Sequence, residues 1–352
     1  MADFQQLKNT RLHSVRLGTP ILDAIRQMND LAPEPQFLMV VDEFGKLVGT
    51  ITDGDIRKAL IKNRNLEGWV EDFMQPQPIY VYSNDDETVI RSMLASVRSS
   101  IKFVPIVNEE QQLQGAIYVS DKPRKEMVAL IMAGGFGTRL KHETSKKPKA
   151  LVEIDDLPLI ENVLRNIESA GIKNIFVSVH YLGEMIDDYI TQTGRTDSVR
   201  VLRETKPMGT AGAIQLIPPE FQTDLLISNC DLITDLRMND LIEFHNASQT
   251  DASIAVARHR YTVPFGVIKY SPSGQFEGIE EKPTISNYVS AGMYCISSLF
   301  VQRVKHVGAI DMPKYIGMGA KLGLRVSLFP IHEEWEDVGT LAQLKKLKDK
   351  KH

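Results

Sequence analysis

The sequence predicts an α/β fold: a mostly parallel sheet across its second two-thirds, preceded by a smaller α/β unit made from a repeat. Three observations carry this reading. Val128-Ala129-Leu130-Ile131-Met132 is an unbroken apolar run that meets Gly134, Gly135 and Gly137, the pattern of a strand buried on both faces. Beyond it, short apolar stretches alternate with amphipathic helical ones, the order of β-α-β units. Ahead of it, residues 1–122 hold two similar copies about 60 residues apart.

The bounds agree. A chain of 352 residues with 43% hydrophobic and 24% charged residues has room for two domains with real cores. A net charge of −4 leaves no footprint for nucleic acid. Cys230 and Cys295 lie far apart and outside any metal spacing, so they read as buried thiols in a reducing compartment. No apolar run approaches membrane-spanning length and no signal peptide is visible. A cytoplasmic protein with no membrane partner is expected. The basic tail from Lys345 reads as a solvated helix end. A homo-oligomer is expected.

In the repeat, copy one spans about residues 8–65 and copy two about 66–122. Copy one reads as a helix at Ile21–Asn29, strands at Phe37–Asp42 and Leu47–Thr52 around a turn at Glu43–Lys46, and a helix at Asp53–Ile61. Copy two opens at Trp69–Met74, with a helix at Thr88–Val97 and strands at Phe103–Asn108 and Leu113–Val119. This order resembles a tandem pair of cystathionine-β-synthase (CBS) domains. The resemblance implies an adenine-nucleotide site in which a Gly-x-x-Thr/Ser-x-x-Asp motif holds the ribose. Gly49 through Asp55 matches it, giving Thr52 and Asp55. In copy two Asp121 is present but Tyr118 replaces the small hydroxyl residue. Two readings stay open: a nucleotide site, or a structural or dimerising pair in which Thr52 ends a strand and Asp55 sits in a helix's first turn. The polar, Pro-containing stretch Ser120–Glu126 is the linker, and the second domain spans 127–352.

The glycines after Met132 permit a tight turn or close approach to a ligand, and backbone N–H groups there can cradle phosphate. Arg139 adds a forked cation suited to phosphate oxygens. The stretch satisfies neither the P-loop nor the G-x-G-x-x-G spacing. Taken from Ala133 through Thr144 to Pro148-Lys149, it resembles the signature of sugar-1-phosphate nucleotidyltransferases. The resemblance implies a Rossmann-like α/β domain that joins a nucleoside triphosphate to a sugar 1-phosphate and releases pyrophosphate.

The remaining elements follow in order. Leu159–Ala170 reads as an amphipathic helix stopped by Gly171. Asn174–Val179 is a strand with His180 at its carboxyl end, where ligands sit in such sheets; His180 reads either as a loop residue or as a sugar or base contact. Glu184–Ile190 is helical and Val199–Glu204 is a third strand. Gly209-Thr210-Ala211-Gly212 matches the family's loop against base and ribose, while Thr210 also suits a helix N-cap. Asp224–Asp231 is an apolar strand ending in a carboxylate, costly there unless paired or bound to a cation. The resemblance makes Asp231 a Mg²⁺ ligand and Asp337, in Trp335–Thr340, the second. By resemblance Glu281 accepts sugar hydroxyls and Lys282 contacts the sugar phosphate. Val289–Tyr294 resembles the family's Asn-Ala-Gly-x-Tyr strand, with Ser290 where Asn is common and Gly292 kept.

The implied reaction is an in-line displacement at the α-phosphorus, achieved by positioning and charge neutralisation. By carry-over, Ala133, Gly134, Gly135, Gly137, Thr138 and Arg139 hold the triphosphate, while Gly209, Thr210 and Gly212 pack on the base and ribose. Lys149 meets the α-phosphate, and Asp231 and Asp337 hold Mg²⁺. With no hexapeptide repeats after Asp337, the acetyltransferase-fused relatives are not expected. A CBS pair ahead of such a domain resembles guanylyltransferases acting on glucosamine 1-phosphate in nonulosonic (legionaminic-type) acid synthesis, which implies GTP. Mannose 1-phosphate guanylyltransfer, uridylyl or thymidylyl transfer, and a catalytically silent nucleotide sensor are the alternatives.

Overall fold

The computed structural model describes residues 4–7, 9–31, 34–63, 66–97, 101–119, 126–135, 147–154, 156–339 and 343. The chain divides into two compact units, 1–125 and 126–352. Among the described residues no helix is long and apolar enough to cross a membrane.

In the first unit, one half holds strand Ser14–Arg16, helix Ile21–Asp30, strands Phe37–Val41 and Leu47–Thr52, and helix Asp53–Asn63. The other holds strand Val81–Tyr82, helix Glu87–Ser96, and strands Phe103–Val107 and Leu113–Val119. Asp86 caps the second half's first helix, accepting from the N–H groups of Thr88 and Val89, two of the donors that a helix start leaves unpaired. Phe37 stacks on Phe103 with centroids 3.9 Å apart, so a shared aromatic contact joins the halves.

The halves are not contiguous copies, which corrects the boundary near residue 66. Trp69–Met74, expected to open copy two, belongs with copy one: Val70 and Phe73 are buried in the cluster of Val15, Ile21, Leu38 and Ile51. Gln75 exchanges backbone hydrogen bonds with Thr50 at 2.7 and 3.2 Å. Conversely the first strand, Phe4–Leu7, pairs antiparallel with Leu113–Val119 of the second half. Gly49 and Gly115 admit these exchanged segments. A Cβ at Gly49 would lie 2.4 Å from Met74 Sδ, and one at Gly115 would lie 2.8 Å from the Leu7 carbonyl oxygen.

The second unit is built on seven strands: β1 (Met127–Met132), β2 (Ile175–Val179), β3 (Val199–Arg203), β4 (Asp224–Asn229), β5 (Ala252–Thr262), β6 (Thr284–Ile296) and β7 (Val326–Pro330). Their order is β3-β2-β1-β4-β6-β5-β7. Only β6 runs against the rest, so the sheet is mostly parallel, as expected. Helices α1 (Leu159–Ser169), α2 (Gly183–Gln192), α3 (Gly209–Gly212), α4 (Met238–Ser248), α5 (Ser298–Arg303) and α6 (Met312–Lys321) cover it. β1 and β2 are buried along nearly their whole length because both faces carry core: one packs Ala129, Ile131 and Val177 under α1, the other packs Leu130 and Phe176 under α3 and α6. The order β3-β2-β1-β4 places a topological switch between β1 and β4, where chain connections leave in opposite directions and open a crevice at the strands' carboxyl ends.

Candidate active site at the carboxyl ends of β1 and β4

The chain leaves β1 at Ala133, whose N–H donates to the Ser178 carbonyl at 2.9 Å. Gly134 follows, and a Cβ there would fall 2.6 Å from Glu204 Oε1, so glycine lets the chain turn against a carboxylate. Nothing lies within 4 Å of a Cβ built on Gly135, which faces open space. Gly137, Thr138 and Arg139 lie outside the described residues.

Glu204 organises this edge and was not singled out in the sequence. It immediately follows β3. Its carboxylate accepts from the Ser178 hydroxyl and, at 2.9 Å, from the Met208 N–H. One acid thus ties the first glycine turn, the end of β2 and the entrance to the Gly209–Gly212 turn together. A strand-terminal acid five residues ahead of Gly209 was the available signal. His180 follows β2 directly and is half-buried.

Thr210 does not cap its own helix, contrary to the capping option. α3 begins after Met208 with no side-chain cap. The Thr210 hydroxyl instead accepts from the Met312 N–H at 2.8 Å, and the Thr210 N–H donates to Asp311 Oδ1 at 3.2 Å. Gly212 is buried within the turn.

Asp231 stands just past β4. The next residues, Leu232–Thr234, pair antiparallel with Trp335–Asp337, Leu232 opposite Asp337. The Val338 N–H donates to the Asp231 carbonyl at 3.0 Å. This two-stranded ribbon sets the two carboxylate residues side by side, supported beneath by Val152, Ile154, Leu159 and Val338. Lys149, the first residue of a short 3-10 turn after Pro148, ion-pairs with Asp231. Both side chains are mostly buried, 13% and 15% exposed, and an acid so placed needs such a partner. Burial pushes the Cys230 thiol well up, and Asp231 pushes it further while Lys149 opposes and Asp337 adds a smaller upward push. The cysteine is an inert packing residue beside a charged cluster. The two adjacent carboxylates offer oxygen ligands of the kind that suit a hard divalent cation such as Mg²⁺.

β6 brings the last wall. Gly292 sits at φ +77° in an irregularity of the β5–β6 ladder, and a Cβ there would lie 2.6 Å from Asn229 Nδ2. Ser290 Oγ bonds the Tyr294 hydroxyl at 2.6 Å, and Trp335 Nε1–H donates to the Ala291 carbonyl at 3.0 Å. The segment is thereby fixed to both acid-bearing strands. Glu281 and Lys282 are exposed beyond the outer end of β6. The seven extended residues from Thr284 to Ser290 put about 20 Å of strand between them and the Ser290–Gly292 segment.

In the first unit, Thr52 and Asp55 bond each other. The Thr52 hydroxyl and N–H both donate to Asp55 Oδ2, at 2.6 and 3.0 Å, and the Asp55 N–H donates back to Thr52 Oγ1 at 3.3 Å. The pair starts the helix Asp53–Asn63.

Comparison with known proteins agrees with this geometry. The CBS-domain family model matches residues 5–62, and the nucleotidyl transferase model matches residues 128–352. Relatives include the mannose-1-phosphate guanylyltransferase catalytic subunit beta of Danio rerio, 29% identical over 187 residues, covering 51% of this chain and 52% of that protein. The mannose-1-phosphate guanyltransferase of Hypocrea jecorina is 28% identical over 223 residues, covering 60% and 61%. The chain thus spans about half the length of the first of these curated relatives. A Bacillus anthracis crystal structure described as a glucose-1-phosphate thymidylyltransferase superposes with a TM-score of 0.50 at 21% identity, covering 63% of this chain and 94% of that one, a likeness of fold. With its whole second unit matched, the chain belongs to the nucleotidyl transferase family.

Proposed function

We propose that the protein transfers a nucleotidyl group from a nucleoside triphosphate to a sugar 1-phosphate and releases pyrophosphate. The observation that carries this reading is the Lys149–Asp231 pair with Asp337 beside it, at the carboxyl-end switch between β1 and β4. A cation and two acids side by side suit in-line phosphoryl chemistry, where charge must be positioned and neutralised. Asp231 and Asp337 would hold Mg²⁺, which when bound orients the phosphates and offsets their charge. The Ala133–Gly135 turn presents backbone to the triphosphate, with Gly137, Thr138 and Arg139 assigned to the same task by resemblance. Lys149 offers its ammonium to the α-phosphate as negative charge builds there. Lys282 is assigned to the incoming sugar phosphate, and Glu281, Ser290 and Gly292 to the sugar.

GTP is the proposed donor. Glu204, at the Gly209–Gly212 wall, supports it, since a carboxylate accepts well from the paired N1–H and N2–H donors of guanine. The relatives named for mannose 1-phosphate support a hexose acceptor. The CBS-like unit supports glucosamine 1-phosphate in an amino-sugar pathway, with Thr52 and Asp55 proposed to open toward an adenine nucleotide's ribose. The test is pyrophosphate release with Mg²⁺ from GTP, UTP, CTP, dTTP and ATP, each against mannose, glucosamine and glucose 1-phosphates. Turnover with GTP is expected. No release with any pair, with or without AMP, overturns the enzymatic reading. A fast rate with UTP or dTTP and none with GTP overturns the donor. Calorimetry with AMP, ADP and ATP tests the first unit separately, and absence of heat with all three sinks that site.

A further inference from the structure

Asn229 ends β4, two residues ahead of Asp231. Leu225 and Ile227 pack under α3 and α6, while Leu226 packs on the other face of the sheet. The two-residue period of a strand therefore sends the Asn229 side chain to the face that carries the Gly209–Gly212 turn. The residue is half-buried, and its side chain leans toward β6. One step beyond the last β4–β6 pair, Ser228 with Met293, it lies where a side chain on Gly292 would begin. A Cβ on Gly292 would be 2.6 Å from Asn229 Nδ2 and 2.9 Å from its Cγ. Gly292, at φ +77°, thus bends β6 and also leaves room for this carboxamide.

The polar groups around it are committed. Glu204 accepts from the Ser178 hydroxyl and the Met208 N–H. Ser290 Oγ bonds the Tyr294 hydroxyl at 2.6 Å and accepts from the Gly292 N–H at 3.4 Å. The Thr210 hydroxyl serves Met312, and Lys149 and Asp231 hold each other. Among the described residues the Asn229 carboxamide has no hydrogen-bond partner. Its donors and its acceptor are left for what enters the crevice. Being uncharged, it adds little at a phosphate and suits the neutral part of a substrate. Donor and acceptor side by side match a sugar hydroxyl, which both gives and accepts a hydrogen bond.

We infer that Asn229 contacts the sugar: its carboxamide bonds a hydroxyl of the bound sugar 1-phosphate, and the missing side chain at Gly292 admits it there. The lean toward the Ser290–Gly292 segment selects the sugar over the nucleotide. A site built to hydrogen-bond a hydroxyl rejects an analogue that lacks it, so Asn229 discriminates among hexose 1-phosphates. The inference rests on the proposed nucleotidyl transfer and names a further residue for it.

The test assays pyrophosphate release by the full chain with Mg²⁺ and the triphosphate that serves as donor. The acceptor is whichever of mannose, glucosamine and glucose 1-phosphates turns over best, together with its monodeoxy analogues. Asn229→Ala should lower kcat/KM for the sugar phosphate at least about fivefold, the weight of one hydrogen bond, through KM. KM for the triphosphate should stay within about twofold, and the urea midpoint should hold, since the amide has no protein partner to lose. In the wild type one deoxy analogue should lose about fivefold or more, and in Asn229→Ala that loss should vanish. A merely structural amide would leave the loss in place. Asn229→Ser repeats the measurement if the Ala variant's circular dichroism departs from wild type. An unchanged kcat/KM, a KM rise confined to the triphosphate, or a deoxy penalty that survives the substitution would overturn the contact and leave the reaction standing. No release by the wild type with any pair overturns the proposed function, and the contact with it.

Discussion

Thr210 and Asp311 exchange helix caps: Asp311 Oδ1 accepts from the Thr210 N–H at 3.2 Å, and the Thr210 hydroxyl accepts from the Met312 N–H at 2.8 Å. Each residue serves the start of the other's helix. Thr210→Ala should therefore cost about 1 kcal/mol of stability, visible as a lowered urea midpoint, and raise KM for the nucleotide. Thr210→Ser should restore both. A Ser variant as impaired as the Ala variant would show that the hydroxyl bond is not the cause.

Asp231→Asn keeps size and removes charge. Turnover should fall at least about a hundredfold, the scale of losing one charge-stabilising group at a reacting phosphate, with the circular dichroism spectrum unchanged. Lys149→Met should do likewise while leaving Asp231 less well paired. Near-normal rates for Asp231→Asn at saturating Mg²⁺ would remove the acid from the site.

Gly292→Ala meets two obstacles, φ +77° and Asn229 Nδ2 at 2.6 Å. The strain alone is on the order of 1 kcal/mol. KM for the sugar phosphate should rise more than KM for the nucleotide, since Ser290 and Ala291 shift with it. Steady-state kinetics in both substrates decides this.

Glu161 should contribute to the pH dependence of stability in acid. Burial pushes its carboxyl up, but hydrogen bonds from Arg195, Tyr189 and Arg165 outweigh this and hold it at about 2 against an ordinary 4.5. The folded pKa is lowered, so the group stabilises fully above about 4.5 and the contribution disappears as pH falls through about 2. Stability measured by urea should decline across that window. Glu161→Gln should flatten the decline and cost stability near neutral pH, because Arg195, at 2.9 Å, loses one of its two charged partners and keeps only Glu168.

Cys230 and Cys295 should resist a thiol reagent at pH 8 until the protein unfolds, since burial raises both thiols far above that pH. Labelling that is fast in the native state would contradict their burial.

Much of this was legible in the chain. The apolar run at 128–132, the glycine stop after α1 and the alternation of strand and helix foretold the parallel core, because burial on both faces leaves a continuous hydrophobic signature. Asp231 stood out as an acid ending such a strand; its neighbourhood with Asp337 followed only from resemblance, since the pairing spans more than a hundred positions. Glu204 showed only as an acid ending a strand; its role was hidden because its partners, Ser178 and Met208, are brought to it by the sheet and not by spacing. The Glu161–Tyr189–Arg195 network was hidden for the same reason: its members are 28 and 34 residues apart. Only the option that Thr210 caps its own helix fails: a hydroxyl near a helix start suggests a cap for that helix, and sequence does not show a second helix start facing it.

The exchanged segments of the first unit have a consequence for how it comes apart. Phe4–Leu7 completes the sheet of the second half, and Trp69–Gln75 completes the first. Severing the chain midway would strip each half of a piece held by the other. The repeat visible in the sequence is therefore not two beads on a string. It should melt as one body, with a ligand seated at Thr52 and Asp55 raising the melting temperature of both halves together.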